Sequence, residues 1–257
     1  MTANTIACRP GCFEGPLSEA LALVKAAGID NVEAGIPGDG NFSGLAELCR
    51  DKGLTITTLA GGVDLGVPES VAAVEKAIEG AAEIGTRVIF LSASIGSGVY
   101  DDGIPVLGRL ARAARAVGVV LSIETHLPFA YNGDLAKRTI ELVNSPGIGH
   151  NFDTANIYYY NPKGIDAVEE LRKVLPYVTS VHLKESERGE PESMNFPPLG
   201  KGIVDFPSVF RLLGERGFYG PYTLELEGPL LDGLSKEARS DIVRECLAYL
   251  TSIGAAK

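Results

Sequence analysis

The sequence is poor in basic charge. It has 23 Lys and Arg against 33 Asp and Glu, for a formal net charge of −10. The cations form no stripe, which excludes the electrostatic footprint of a nucleic-acid-binding protein and makes an anionic membrane surface a poor partner. Long apolar runs are missing too, and none reaches the roughly 20 residues that a membrane-spanning helix needs. The first ten residues, MTANTIACRP, hold no charged segment followed by an apolar stretch, so no secretory signal is expected. Cysteine is scarce: Cys8, Cys12, Cys49 and Cys246 make no CxxC pair and no disulfide-like framework. A reducing cytoplasm is therefore the expected compartment, with the thiols buried or incidental. A glycine-rich phosphate loop is also lacking. The first turn after a strand-like run reads RPGCFEGP, without GxGxxG, which argues against an open doubly wound sheet.

What the chain does have is alternation. Short apolar runs read as strands at 5–8, 31–34, 55–59, 87–92, 119–124, 149–153, 180–183 and 222–226. Amphipathic stretches lie between them, such as PLSEALALVKAAG (16–28) and PESVAAVEKAIEGAAEIG (68–85). Several end in a glycine, at Gly28, Gly53, Gly85, Gly118 and Gly217, as helices often do. With 257 residues, 45% of them hydrophobic, the expected fold is one α/β domain over 1–257, a single (β/α)8 TIM barrel. The longest irregular stretch, 186–206, follows the seventh strand on the side where barrels keep their active sites, and reads as a lid or a substrate-contacting loop.

The last four strand ends carry the chemistry. They read SIETH, NFDTAN, VHLKE and TLELEG, which places Glu124, Asp153, His182 and Glu225 each at the end of an apolar run. Glu124 to Asp153 and Asp153 to His182 are both 29 residues, about one βα unit, while the 43 residues to Glu225 include the long loop. A lone carboxylate at a strand end is most often a cap or a surface charge, and Asp153 is well placed to cap the following helix. Three carboxylates and one imidazole converging at one barrel mouth would repel one another without a partner. A divalent cation resolves that conflict, and oxygen-rich ligands with one imidazole suit Mn²⁺, with Mg²⁺, Co²⁺ or Zn²⁺ as alternatives. Strand parity turns Ser122 and Thr223 inward along with Glu124 and Glu225. Glu227 shares that parity and is a rival fourth ligand, disfavoured because it lies further into its loop.

These segments resemble the sugar phosphate isomerase/epimerase group of xylose isomerase-like TIM barrels, over nearly the whole chain. IETH, NFDTAN, VHLKE with the downstream NFPPLGKGIVDF, and YTLELEG carry the likeness. The resemblance implies one divalent metal ion on Glu124, Asp153, His182 and Glu225. It also implies that Glu124 and Glu225 are the catalytic pair, moving protons on opposite faces of the substrate. Glu185 and Arg188 match, in spacing, substrate-contacting residues of ketose 3-epimerases in that group. Asn156 stands where those epimerases carry a histidine, and His126 where they have none. Endonuclease IV, another member, needs a histidine-rich three-metal site. The three histidines here and the acidic balance argue against DNA repair.

The expected activity is a metal-dependent isomerase or epimerase. It would take a proton from the carbon next to a carbonyl and pass through a metal-stabilised enediolate. A dehydratase or lyase, of inosose or keto-glycoside type, is the alternative on the same residues, and a partner-dependent subunit without catalysis is the remaining one. His126, Lys184, Glu185, Arg188 and Asn156 are the candidate substrate contacts. Glu33 is a candidate for orienting a ligand, Arg9 for meeting an anionic substrate, and the tyrosines at 158–160 for a wall. The expected partner is a small keto-sugar, cyclitol or oxidised glycoside, unphosphorylated because no anion-binding glycine loop follows the last strands. A homo-oligomer is also expected.

Overall fold

The computed structural model describes residues 3–256. Eight parallel strands close into a barrel in chain order, with the first strand paired to the last. They are β1 (Ile6–Cys8), β2 (Asn31–Gly35), β3 (Thr55–Asp64), β4 (Val88–Ser94), β5 (Val120–Glu124), β6 (Ile148–Asp153), β7 (Val178–Leu183) and β8 (Tyr222–Leu224). The helices are α1 (Leu17–Ala26), α2 (Phe42–Asp51), α3 (Pro68–Glu83), α4 (Tyr100–Ala116), α5 (Gly133–Val143), α6 (Asn156–Tyr159), α7 (Ala167–Val174), α8 (Phe206–Glu215) and α9 (Lys236–Ser252). No described helix is long and apolar enough to cross a membrane.

Local chemistry sets the helix ends. Asn41, Asn132, Asp166, Asp205 and Ser235 each accept a backbone N–H of the first turn through the side chain, satisfying donors that the helix leaves free. All five expected terminal glycines have positive φ. At Gly118, φ is +77°, which lets the chain reverse from α4 into β5 at a backbone angle that a side chain would oppose.

Side chains alternate across the barrel wall. Leu121, Ile123, Leu183 and Leu224 are buried in the core between strands and helices. Ser122, Asn151 and Ser180 lie inside, where Ser180 Oγ is 2.7 Å from both Ser122 Oγ and Asn151 Nδ2. Four strands end elsewhere than the sequence reading has them: β2 at Gly35 and β4 at Ser94 run one and two residues further, and β3 and β8 differ more tellingly. β3 runs on through Gly61, Gly62 and Val63 because its ladder with β4 continues from Leu59 to Asp64, although glycines disfavour strands locally. β8 stops at Leu224, two residues early, yet Glu225 N still donates to Leu183 O at 3.2 Å, so its carboxylate stays at the barrel mouth.

Candidate active site

The four residues at the last strand ends come together. Glu124, Asp153, His182 and Glu225 are all buried, and one ligand-capable atom from each lies within 4.8 Å of the others. The strand register explains how. His182 pairs with Asp153 on one side and Thr223 on the other, while Glu124 pairs with Asn151. Asp153 and Glu225 each lie two residues beyond those partners, so they keep the inward parity and stand one step higher.

Asp153 answers both readings of a strand-end carboxylate. Its Oδ1 accepts the backbone N–H groups of Ala155 and Asn156, at 2.9 and 2.8 Å, and so caps α6. Its Oδ2 is buried and accepts no hydrogen bond. The Lys184 ammonium lies 3.0 Å from that oxygen, but out of line for a hydrogen bond. A buried carboxylate oxygen without a donor is costly, and a cation among these four groups removes the cost. The donor set fits a hard or borderline divalent ion held by Glu124, Asp153, His182 and Glu225.

His182 is oriented for that task. Its Nδ1 faces Glu225 at 3.1 Å and Asp153 at 3.9 Å. Its Nε2 lies 3.0 and 3.1 Å from the two oxygens of Glu33, and a proton donated there would leave Nδ1 free to ligate a cation. Burial pushes the Glu33 carboxyl up, but His182, Arg9 and Thr223 together bring it below its ordinary value. Phe90 stacks on the imidazole with ring centres 4.4 Å apart.

The two glutamates have unlike neighbours. Arg9 holds one oxygen of Glu225 and lies 3.4 Å from Glu33. The other Glu225 oxygen faces His182 and, at 2.8 Å, the Lys184 ammonium. Lys184 also donates to Glu227 at 2.6 Å. Burial pulls the Lys184 pKa down, but the charges of Asp153, Glu227 and Glu124 raise it above the ordinary value, so the side chain stays charged. Glu124 receives a hydrogen bond from the Asn156 amide at 3.2 Å and, among the described residues, pairs with no cation.

A cavity of about 510 Å³ opens above these groups. Glu124, Glu225 and Glu227 line it together with the rings of Tyr159, Tyr160 and Phe196. His126 stands at its rim. Its Nδ1 is 2.7 Å from the Leu127 carbonyl, and its ring meets Tyr160 edge-on at 4.8 Å.

Two expected substrate contacts lie elsewhere. Glu185 is buried outside the cavity, where its carboxylate accepts the backbone N–H groups of Ser186, Gly200 and Val204 at 2.9–3.0 Å. Burial pushes its pKa up, and these donors offset only part of the rise. It ties down the 186–206 segment, which packs on the barrel through Leu199 and Val204 and puts Met194 and Phe196 into the cavity wall. Strand parity would have found this, since Glu185 alternates with His182 and Lys184 and so points the other way. Arg188 lies exposed beside Glu187, 3.8 Å away. Sequence reasoning missed the Arg9–Glu225 pair, the Phe90 stack, and the floor made by Gly61 and Gly62. No spacing rule links β1 to β8 before the barrel is closed.

Comparisons place this geometry. Residues 21–253 match the family model described as xylose isomerase-like TIM barrel. A ketose 3-epimerase from Arthrobacter globiformis is 31% identical over 123 residues, covering 46% of this chain but only 39% of that relative. An L-ribulose-5-phosphate 3-epimerase from Salmonella paratyphi C is 25% identical over 244 residues, 81% of each protein. Among solved structures, a xylose isomerase domain protein from Planctomyces limnophilus superimposes with a TM-score of 0.79 at 23% identity, covering 98% of both chains. With the barrel, the four convergent donors and this match, the chain belongs to the xylose isomerase-like TIM barrel family.

Proposed function

We infer that the protein is a divalent-metal-dependent isomerase or epimerase of a keto-sugar or cyclitol. The observation that carries this reading is the convergence of Glu124, Asp153, His182 and Glu225 beneath a cavity lined by carboxylates and aromatic rings. The relatives named as sugar epimerases support it. When bound, a divalent ion supplies Lewis-acid polarisation of a carbonyl and an adjacent hydroxyl. Mn²⁺ is the favoured ion for this donor set.

The residues divide the remaining work. Glu124 is the carboxylate without a cationic partner, so it takes the proton from the carbon next to the carbonyl. Asn156 fixes one Glu124 oxygen by its amide, which leaves the other to face the substrate. Glu225, three strands further round the barrel, returns a proton to the other face and so inverts the centre. His126 meets a substrate oxygen at the rim, and the aromatic residues of the wall exclude water. Lys184, buried below the cavity, holds the Glu225 and Glu227 carboxylates in place rather than the substrate. The same start serves elimination of a β-substituent. The cations already engaged by Glu225 favour that second reading, since a proton returned by another group would leave a dehydratase or lyase.

Solvent-deuterium exchange tests the reading. The Mn²⁺-loaded protein is incubated in D₂O with ketoses, inososes and 3-keto-glucosides, and C–H loss next to the carbonyl is followed by NMR. Glu124→Gln is expected to lower the exchange rate about 10²–10⁴-fold, the usual contribution of a positioned base. Unchanged exchange in that variant, or none with any substrate in metal-loaded protein, overturns the assignment. A dehydrated product selects the lyase.

A further inference from the structure

The cavity is unbalanced in two ways that bear on its ligand. The first is charge. Glu124, Glu225 and Glu227 line the cavity and Glu33 and Asp153 lie buried just below, five carboxylates against the cations Arg9, in the wall, and Lys184, buried beneath. Both cations are already taken. Arg9 lies against Glu225 and Glu33, and Lys184 against Asp153, Glu225 and Glu227. A divalent ion added to this set still leaves negative charge in excess. Glu227, with 43% of its side chain exposed, carries that excess to the mouth.

The second imbalance is in hydrogen-bonding capacity. Ionised carboxylates only accept. His126 Nδ1 lies 2.7 Å from the Leu127 carbonyl, so that edge of the ring is engaged and Nε2 is the nitrogen left to face a ligand at the rim. Carboxylates that face the cavity favour a ligand that brings donors. Sugar hydroxyls bring one O–H each, whereas a phosphate dianion brings three acceptor oxygens, two negative charges and no donor. The rest of the wall offers aromatic and apolar faces from Phe90, Tyr159, Tyr160, Met194 and Phe196 and the neutral hydroxyls of Ser92, Tyr159 and Tyr160, and among the described residues it holds no second cation cluster.

We propose that this site selects uncharged polyhydroxy ketones and rejects their phosphate esters, with Glu227 as the specificity-determining residue at the mouth. The proposal rests on the keto-sugar reading above and narrows it. It sets the chain apart from those relatives that are named for a 5-phosphate. A reaction that removes phosphate, or a sugar that was never phosphorylated, must then supply the substrate.

L-Ribulose and L-ribulose 5-phosphate, with the corresponding ketohexose pairs, are the probes. Binding to the Mn²⁺-saturated, desalted protein is measured by calorimetry, and exchange at the carbon next to the carbonyl by NMR. The neutral ketose of at least one pair is expected to bind tenfold or more tightly than its ester, and Glu227→Gln to narrow the gap severalfold by improving the ester. Equal or tighter binding of the esters, an unchanged gap in Glu227→Gln, or no binding of any probe overturns the proposal. Exchange that is fast on an ester overturns it while the isomerase reading stands. Selective binding of the neutral ketose without exchange upholds the proposal and overturns that reading.

Discussion

Glu124 and Glu225 are the same residue at neighbouring heights of one barrel mouth, yet they sit in different electrostatic settings. The Glu225 side is built from charge: Arg9 reaches over from β1, and His182 and Lys184 from β7. The Glu124 side is built from neutral groups, with the Asn156 amide on its carboxylate. A side chain clamped by three cationic or imidazole groups is a good fixed ligand. One held by a single amide is free to exchange a proton. The family's two-glutamate pattern is thus compatible with unequal partners.

The comparison breaks most completely where both sides share a group. Asp153→Asn replaces the oxygen that lacks a donor, so Mn²⁺ binding by calorimetry and deuterium exchange are both expected to fall below detection. Retained tight binding would mean that the four-residue site is not the metal site.

Acid should act first behind Glu124, on the outer face of β5 and β6. His150 Nδ1 donates to the Ile123 carbonyl, next to Glu124, at 2.9 Å, and burial lowers its pKa from 6.5 to about 4. Below pH 6.5 the unfolded chain binds a proton there that the folded chain refuses. Stability is therefore full above 6.5 and declines as the pH falls to about 4. The loss amounts to about 3 kcal/mol, at 1.36 kcal/mol per pKa unit. Urea midpoints across this window should show the decline in the parent and a shallower one in His150→Asn. Equal slopes would refute it.

The smallest effects sharpen the contrast. Arg9→Met removes a guanidinium from Glu225 and Glu33, and is expected to weaken Mn²⁺ about tenfold. Asn156→Ala loosens Glu124 and is expected to slow exchange about tenfold while leaving Mn²⁺ affinity within about twofold. If both variants lose affinity and rate alike, the two sides are equivalent after all.

Much of the site was legible because a barrel repeats. Glu124, Asp153 and His182 recur at 29-residue intervals, and one βα unit is the physical period behind that number. The misreadings have an equally local cause. Glu185 and Arg188 were placed by spacing from His182, but spacing says nothing of side-chain direction. Glu185 points away and holds the 186–206 segment by its backbone. Gly61 and Gly62 read as a break, whereas the ladder to β4 carries the strand through them.

The amino-acid order alone determined the alternation of strands and helices, the polar residue at each of the last four strand ends, and the excess of acid over base. Those are periodic or compositional properties, and they survive in one dimension. Only the closed barrel decided which oxygen each carboxylate turns inward, and that Arg9 would meet Glu225. These residues are 216 positions apart and become neighbours because β1 pairs with β8. Contacts of that kind arise from strand closure and side-chain direction, and no local pattern encodes either.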